Sequence, residues 1–306
     1  MSKSLFKRLL QLLPVLVGIA TIVFFLQRLI PGSPSDAVLG PDAPMEQKTE
    51  WLQKYGFDKS LGEQYVHYMN GLVHGDFGRT FSDYKPVFQV IYPRLLQTSK
   101  LAIVAFLFSL LFATFVGIIS AARAGKFTDR IAALCSLLAI SAPSFIIGPI
   151  LMWIFSVKLD WFPLTGNDSA LAYVLPAVTL GAAMSAFTSR MIRSGLVDVL
   201  SEDYIRTARS KGLSPGAVIV KHALRNAFLP TLTILGMQLG VLLSGAVITE
   251  QIFAWPGLGT LTVEAVQSRE YNLVSGCVIV MAIIYVLANF LVDFLYRVLD
   301  PRVRMQ

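Results

Sequence analysis

The chain has 306 residues, of which 55% are hydrophobic and only 15% are charged. Soluble domains usually carry about 25% charged residues, so this composition excludes an ordinary soluble protein and indicates an integral membrane protein. The formal net charge of +7 could suggest nucleic-acid binding, but the basic residues lie beside apolar runs rather than on a soluble fold. Nucleic acid is therefore not expected as a partner, and the lipid bilayer is.

Six uncharged runs are long enough to cross a bilayer, which takes about 20 helical residues. Lipid offers backbone groups no hydrogen-bond partners, so each run is predicted to be a helix. The first run lacks a small-residue cleavage pattern and is predicted to be a retained helix rather than a signal peptide. The fold class is thus all-α, with six transmembrane helices. The runs are Leu9–Gln27, Leu101–Ala122, Ile131–Val157, Ser169–Ser189, Asn226–Thr249 and Tyr271–Val292.

Prolines are expected to bend the third and fourth runs. Pro143 and Pro149 lie in the third run, and Pro176 lies in the fourth. Since proline removes an intrahelical hydrogen bond, a bend is expected at each position.

Charged residues near the membrane could mark an ion or proton pathway, and Asp293 at the end of the sixth run is the main candidate. Arg297 follows four residues later, so a local Asp–Arg pair at the helix end is the favoured interpretation. An ion-driven secondary transporter, which would need inverted-repeat hydropathy and buried charges, is the alternative of another class.

The basic residues are distributed unevenly among the loops. Basic residues precede the first run, follow the sixth run and are frequent in the loops at 123–130 and 190–225. The loops near 158–168 and 250–270 contain only two basic residues, Lys158 and Arg269. The positive-inside rule then places both termini and the 190–225 loop in the cytoplasm.

The segment 31–99, here called the cap, is predicted to be a large extracytoplasmic loop. Its acids and bases nearly balance, and its aromatic content is sufficient for a small packed structure. His67 and His74 could bind a metal, but their spacing is unusual and no carboxylate pair completes a ligand shell, so surface or packing roles are favoured. The residues expected to pack the cap are Trp51, Tyr55, Tyr65, Tyr68, Leu72 and Phe77.

Three regions follow from these assignments. Residues 1–30 form the cytoplasmic N-terminus and first transmembrane helix, residues 31–99 form the cap, and residues 100–306 form a five-helix core. A polar loop at 195–228 lies within that core.

The polar loop shows the signals of two short helices. The residues from Glu202 to Lys211 have acids early and bases late, which complements a helix dipole. Gly212 follows as a C-cap, and Ser214 and Pro215 are typical of an N-cap and first helical position. A second helix is predicted over Gly216 to Arg225, with Asn226 and Pro230 starting the fifth span. The loop is therefore a rigid elbow that could transmit force.

Enzyme signatures do not occur in the sequence. It contains no G-x-x-x-x-G-K-[ST] phosphate loop, no H-E-x-x-H and no G-x-S-x-G. No catalytic, cofactor-binding or metal-binding residue is assigned, and any energy from ATP must come from another subunit.

The run Arg206-Thr207-Ala208-Arg209-Ser210-Lys211-Gly212, followed by Leu229-Pro230, resembles the EAA loop of permease subunits of binding-protein-dependent ABC importers. Arg206 and Thr207 replace the Glu and Ala of the general pattern, as in the oligopeptide, dipeptide, glutathione and nickel branch. The resemblance extends to short motifs that sample nearly the whole chain. They are Pro31-Gly32-Ser33-Pro34, Gly75-Asp76-Phe77-Gly78, Ser141-Ala142-Pro143-Ser144-Phe145 and Trp255-Pro256-Gly257-Leu258-Gly259.

The resemblance implies a type I ABC importer permease of the bacterial plasma (inner) membrane. Its partners would be a homologous second permease, two cytoplasmic ATPase subunits and an extracytoplasmic solute-binding protein. ATP and Mg would be bound by the ATPase subunits, with no cofactor in this chain. Short peptides are the expected substrate, with glutathione and nickel or other metal chelates as alternatives.

The resemblance also implies that the 202–213 helix is a coupling helix, which docks in a groove of an ATPase subunit. The charged residues would supply polar contacts, Tyr204 and Leu213 apolar anchors, and Gly212 the turn. The alternative is that these charges only solvate a loop. The coupling residues are Glu202, Asp203, Tyr204, Arg206, Thr207, Ala208, Arg209, Lys211, Gly212 and Leu213.

Overall fold

The computed structural model describes residues 2–29, 32–243 and 246–299, with side chains described from residue 13 to residue 291 except at 37, 229 and 233. These residues form helices and connecting loops, as the composition predicts. The helices are α1 Ser2–Leu29, α2 Pro34–Leu39, α3 Met45–Lys54, α4 Leu61–Val73, α5 Val87–Ala122, α6 Phe127–Ser141, α7 Ser144–Leu151, α8 Val174–Leu200, α9 Asp203–Ser210, α10 Pro215–Ala217, α11 Leu224–Leu243, α12 Val247–Ile252, α13 Leu258–Gln267 and α14 Tyr271–Leu299.

Three helical stretches in the described part of the chain have the length and apolar composition to cross a membrane: Val87–Ala122, Ala170–Leu200 and Tyr271–Leu291. Two bent pairs raise the number to five if each pair is one span. The first predicted run lies in α1, where the described residues Leu13–Leu29 form an apolar helix. The second and fourth runs are helical as predicted, but their helices extend well beyond the uncharged segments, and α5 already begins at Val87.

The third run forms two helices rather than one. The stretch Phe127–Ser141 meets the stretch Ser144–Lys158 at an angle of 105°. Ala142 at the break is extended (φ −82°, ψ 121°), because the residue before a proline avoids helical geometry. The bend expected at Pro143 is confirmed. Pro149 lies inside α7, which widens into a π-helical turn at Met152–Lys158.

At Pro176 no break occurs, since Ala170–Leu200 is one helical stretch. Pro176 lies in the first turn of α8, where the missing N–H leaves no intrahelical bond unmade. The proline therefore does not break the helix, and the bend expected there stays a prediction.

The fifth span begins earlier than predicted. The helix that starts at Pro215 continues through a π-helical turn, Val218–Ala223, into α11, so no new helix begins at Asn226. A bend of 54° separates Pro215–Phe228 from Pro230–Leu243. Pro230 therefore bends a continuing helix instead of starting one.

The chain divides into two compact units, residues 1–97 with 256–286, and residues 98–255 with 287–306. In the first unit, the start of α5 packs against α13 and the start of α14. The buried side chains of this core are Val87, Ile91, Leu258, Leu261, Ala265, Leu273, Cys277 and Val280.

The cap up to Gln97 belongs to the first unit and is folded, as its aromatic content predicts. Trp51 is buried with Phe81 and Tyr271, and its ring contacts those of Tyr55 and Phe57. Tyr65 and Tyr68 instead pack on Phe24 of α1. Phe77 packs against the core of the first unit rather than this aromatic cluster, and Leu72 is partly buried.

The residue that precedes α14, Glu270, binds the cap through its buried carboxylate. Glu270 is 4% exposed and accepts hydrogen bonds from the backbone N–H groups of Phe81 (2.7 Å) and Ser82 (2.8 Å). His67 and His74 are both exposed, as expected of surface residues.

Candidate coupling site

The elbow predicted from the sequence is present. Its first helix, α9, runs over Asp203–Ser210 with Glu202 at the N-cap, one residue shorter at each end than predicted. Gly212 has φ +80°, the left-handed conformation that glycine adopts without strain. The Ser214 hydroxyl accepts a hydrogen bond from the Ala217 backbone N–H at 3.4 Å, and Pro215 is the first helical residue.

One face of α9 is buried. Ile205 is 0% exposed and Ala208 is 7% exposed, and their spacing of three residues places them on the same side of the helix. Both belong to a cluster that involves α5, α8 and the helix that begins at Pro215. We call this cluster the seat; its buried residues are Ala113, Ala121, Ile192, Leu196, Ile205, Ala208, Val218, Ala223 and Ala227.

The opposite face of α9 is polar and exposed. Tyr204 is 42% exposed, and its hydroxyl accepts a hydrogen bond of 2.8 Å from the Asn226 side-chain amide. Ala208 is the one proposed coupling residue that lies in the seat instead of on the surface. We call the exposed set the coupling surface: Glu202, Asp203, Tyr204, Arg206, Thr207, Arg209, Lys211, Gly212 and Leu213.

The acidic residues of the coupling surface lie near the start of α9 and the basic residues follow them toward its end. Asp203 lies in the first turn of α9 and Arg209 in the last, so both complement the helix dipole. Arg206 approaches Asp203 at 3.4 Å, but both side chains are largely exposed, so this ion pair contributes little stability. The charges are therefore available to a partner.

Close backbone contacts hold α8, the helix that precedes α9, on two sides. A Cβ atom added at Gly195 would lie 2.9 Å from the Ala227 carbonyl oxygen of α11. A Cβ atom added at Gly117 of α5 would lie 2.9 Å from Ile192 of α8. Only glycine permits helices to approach so closely at these points.

A third contact was not predicted from the sequence. The carboxylate of Asp129, in the first turn of α6, receives two hydrogen bonds of 2.6 Å from the Arg193 guanidinium of α8. It also accepts from the Ser120 hydroxyl and, at 2.8 Å, from the Gly125 backbone N–H. We call this group the latch. It lines a cavity of about 800 Å³ that Arg130, Arg190 and Asp198 also line.

A sequence signal for the latch exists in retrospect. Asp129 is the only acid in the basic segment 123–130 and lies two residues before the apolar run that begins at Ile131. An acid at such a position commonly pairs with a base on a neighbouring helix. Which arginine it selects depends on the packing of α6 against α8, which the sequence does not specify.

Comparison with known families defines the class of protein. Residues 113–305 match the family model described as "Binding-protein-dependent transport system inner membrane component". Residues 1–102 match the model for the N-terminal part of such membrane components. The chain therefore belongs to this family and is the permease subunit of a binding-protein-dependent ABC importer. Membership excludes the ion-driven secondary transporter considered above.

The chain is similar over nearly its whole length to permeases of one named system. It is 41% identical over 298 residues to the glutathione transport system permease protein GsiC of Salmonella typhimurium (strain LT2), covering 97% of each chain. It is 39% identical over 298 residues to GsiC of Escherichia coli (strain K12), again covering 97% of each.

Two solved structures share the fold at low sequence identity. One is an inward-facing structure of the MetNI methionine ABC transporter, with a TM-score of 0.56 at 18% identity, covering 70% of this chain and 97% of that one. The other is an amino acid ABC transporter, with a TM-score of 0.50 at 19% identity, covering 70% of this chain and 94% of that one. The chain has the type I importer permease fold.

Proposed function

We propose that this permease carries glutathione, or a closely related small peptide, across the bacterial inner membrane. The observation that supports this substrate is the identity of 39–41% with GsiC permeases over 97% of the chain. Glutathione is itself a short peptide, so it agrees with the substrate class expected from the sequence. Nickel or other metal chelates are the less favoured alternative.

The assembly around this chain would comprise a second homologous permease, two ATPase subunits and a solute-binding protein. ATP and Mg would bind to the ATPase subunits, because this sequence contains no phosphate loop. The unequal distribution of basic residues among the loops supports a cytoplasmic position for both termini and for the coupling surface. The cap would then face the solute-binding protein.

The coupling surface would dock in a groove of an ATPase subunit. Two features support this assignment: the exposed face of α9 is polar and charged, and its other face is fixed in the seat through Ile205 and Ala208. A helix held in this way can move only together with α8 and α11. ATP-driven approach of the ATPase subunits would thus move the permease helices as rigid bodies.

Uptake by the reconstituted complex tests both parts of this proposal. The complete transporter in proteoliposomes, supplied with ATP and its binding protein, should accumulate labelled glutathione. Unlabelled glutathione should compete, whereas a nickel chelate should not. Uptake of nickel chelate without glutathione uptake would contradict the substrate assignment and leave the family unaffected.

The variant Gly212→Val tests the coupling assignment in the same assay. Nothing lies within 4 Å of a Cβ atom at Gly212, so the substitution strains only the backbone of the turn, where φ is +80°. Uptake and binding-protein-stimulated ATP hydrolysis should be lost while the permease is still produced. Gly216→Val is the matched control, because Gly216 lies in the same elbow, also without neighbours and without a positive φ. Normal uptake by Gly212→Val would exclude the coupling role.

A further inference from the structure

We propose that the latch positions the coupling helix: the Asp129–Arg193 pair fastens α6 and the 123–126 turn to α8, so that α8 and α9 move as one body with α5 and α6. Asp129 and Arg193 are then positioning residues that act through α8, and neither contacts the ATPase subunit or the solute. This inference rests on the coupling role proposed for α9.

The hydrogen bonds of the latch fix the relative orientation of the Asp129 and Arg193 side chains as well as the distance between them. Arg193 Nε donates to one carboxylate oxygen of Asp129 and Arg193 Nη2 donates to the other, each at 2.6 Å. The Ser120 hydroxyl and the Gly125 N–H bond to one oxygen each, so both oxygens have two donors. Such a paired arrangement of two planar groups resists rotation of one helix against the other.

The latch also completes the fixation of α8. Gly117 brings α5 against Ile192, Gly195 brings α11 against α8, and Arg193 lies between these contacts in sequence. Ile192 and Leu196 on the same stretch belong to the seat with Ile205 of α9. The segment 192–196 therefore contacts α5, α6, α9 and α11 within little more than one helical turn.

Stability alone does not explain an ion pair at this position. The Asp129 side chain is 6% exposed and that of Arg193 is 35% exposed, so the carboxylate is taken almost completely out of water. A packed apolar pair of similar volume can stabilise a fold as well as a buried ion pair does. What an apolar pair would not supply is the defined orientation of α6 against α8.

The variants Asp129→Asn and Arg193→Lys test the role in the assembled transporter. Asparagine keeps the size of the side chain and removes its charge, and lysine keeps the charge and removes the paired geometry. Both complexes should retain their ATPase subunits and basal ATP hydrolysis. Uptake, and the stimulation of hydrolysis by loaded binding protein, should fall by about ten-fold or more, within the usual range of coupling between sites.

Two residues that line the same cavity provide matched controls. Asp198→Asn removes an acid from α8 and Arg190→Lys changes an arginine one turn before Arg193, and neither side chain belongs to the latch. Uptake by both control complexes should stay near that of the unmodified complex. A loss equal to that of the latch variants would overturn the proposal, because it would assign the effect to the polar lining of the cavity as a whole rather than to the Asp129–Arg193 pair.

Two other results would also overturn it. Normal uptake by both latch variants would show that the pair is dispensable for coupling. Loss of the ATPase subunits, or of the folded permease, in both variants would reduce the latch to a requirement for folding. Gly212→Val separates these results from failure of the coupling assignment: if that variant loses uptake while the latch variants do not, only the latch is excluded.

Discussion

Helix α9 and the cap are both polar regions fixed to apolar helices, but they are fixed by different contacts. The seat beneath α9 consists of aliphatic side chains, and five of its nine buried members are alanines: Ala113, Ala121, Ala208, Ala223 and Ala227. The cap instead packs large rings around Trp51, Phe81 and Tyr271. Small side chains let helix backbones approach closely, whereas rings fill the spaces between short helices and loops.

The buried carboxylates of the two regions differ in the same way. Asp129 bonds to the side chain of another helix through Arg193, and Glu270 bonds to two backbone N–H groups of a loop, those of Phe81 and Ser82. The first contact orients two helices, and the second fixes the path of a loop. From this comparison we expect that the seat tolerates no added volume, while the cap depends on a small number of polar bonds.

The largest effect is expected from Gly195→Val. The first added carbon would lie 2.9 Å from the Ala227 carbonyl oxygen and 3.4 Å from its Cα, and neither backbone can move independently of its helix. Overpacking of this kind should cost about 3 kcal/mol of folding free energy. Thermal unfolding of the purified permease measures this loss of stability, and uptake should be lost.

Gly18→Val is the control, since Gly18 is also helical and a Cβ atom added there would have nothing within 4 Å. Equal stability of the two variants would refute the close contact.

An intermediate effect is expected from Glu270→Gln. A glutamine keeps one acceptor oxygen but turns an NH₂ group toward a backbone N–H, so one charge-assisted bond becomes a contact between two donors. The cost should be roughly 2 kcal/mol. Limited proteolysis should then cleave the loop around Ser82 faster, with the α9 region unaffected.

Glu264→Gln is the matched control for that variant. Glu264 lies in α13, and its half-exposed carboxylate pairs with Arg94 at 3.5 Å. Its loss should change neither proteolysis nor stability measurably, because exposed ion pairs contribute little. If both variants behaved alike, the cap would not depend on the bonds of Glu270.

The contacts of the elbow could be predicted from the sequence, whereas those of the latch and of Glu270 could not. The elbow was predictable because its signals are local: Gly212 for the turn, Ser214 and Pro215 for the next helix, and the order of charges in α9. The latch and the Glu270 bonds were not, because their partners lie 64 and about 190 residues apart in the chain. Such pairs depend on how helices pack, and a single sequence does not encode that in any local pattern.

The prolines show the same division. The bend at Pro143 follows from its effect on Ala142, the residue directly before it. At Pro230 the sequence suggested a helix start, yet the helix from Pro215 continues into α11 through a π-helical turn. Val218 and Ala223 of that turn are buried in the seat. The helix that begins at Pro215 thus continues past Arg225 because it packs against α8 and α9, although the local sequence signals predicted that it would end there.

The smallest effect is expected from Tyr204→Phe. The substitution keeps the ring, which is 42% exposed and available to a partner, and removes the hydroxyl that accepts a bond from Asn226 at 2.8 Å. A neutral hydrogen bond at an exposed position should contribute less than about 1 kcal/mol. Because Ile205 and Ala208 remain buried, α9 should keep its position, and uptake should stay close to normal.

The control variant Asn226→Ala removes the donor of the same hydrogen bond and should give the same result. A loss of uptake in Tyr204→Phe alone would mean that the hydroxyl serves the docked partner rather than the seat, whereas a loss in both variants would mean that α9 depends on a polar bond, as the cap does.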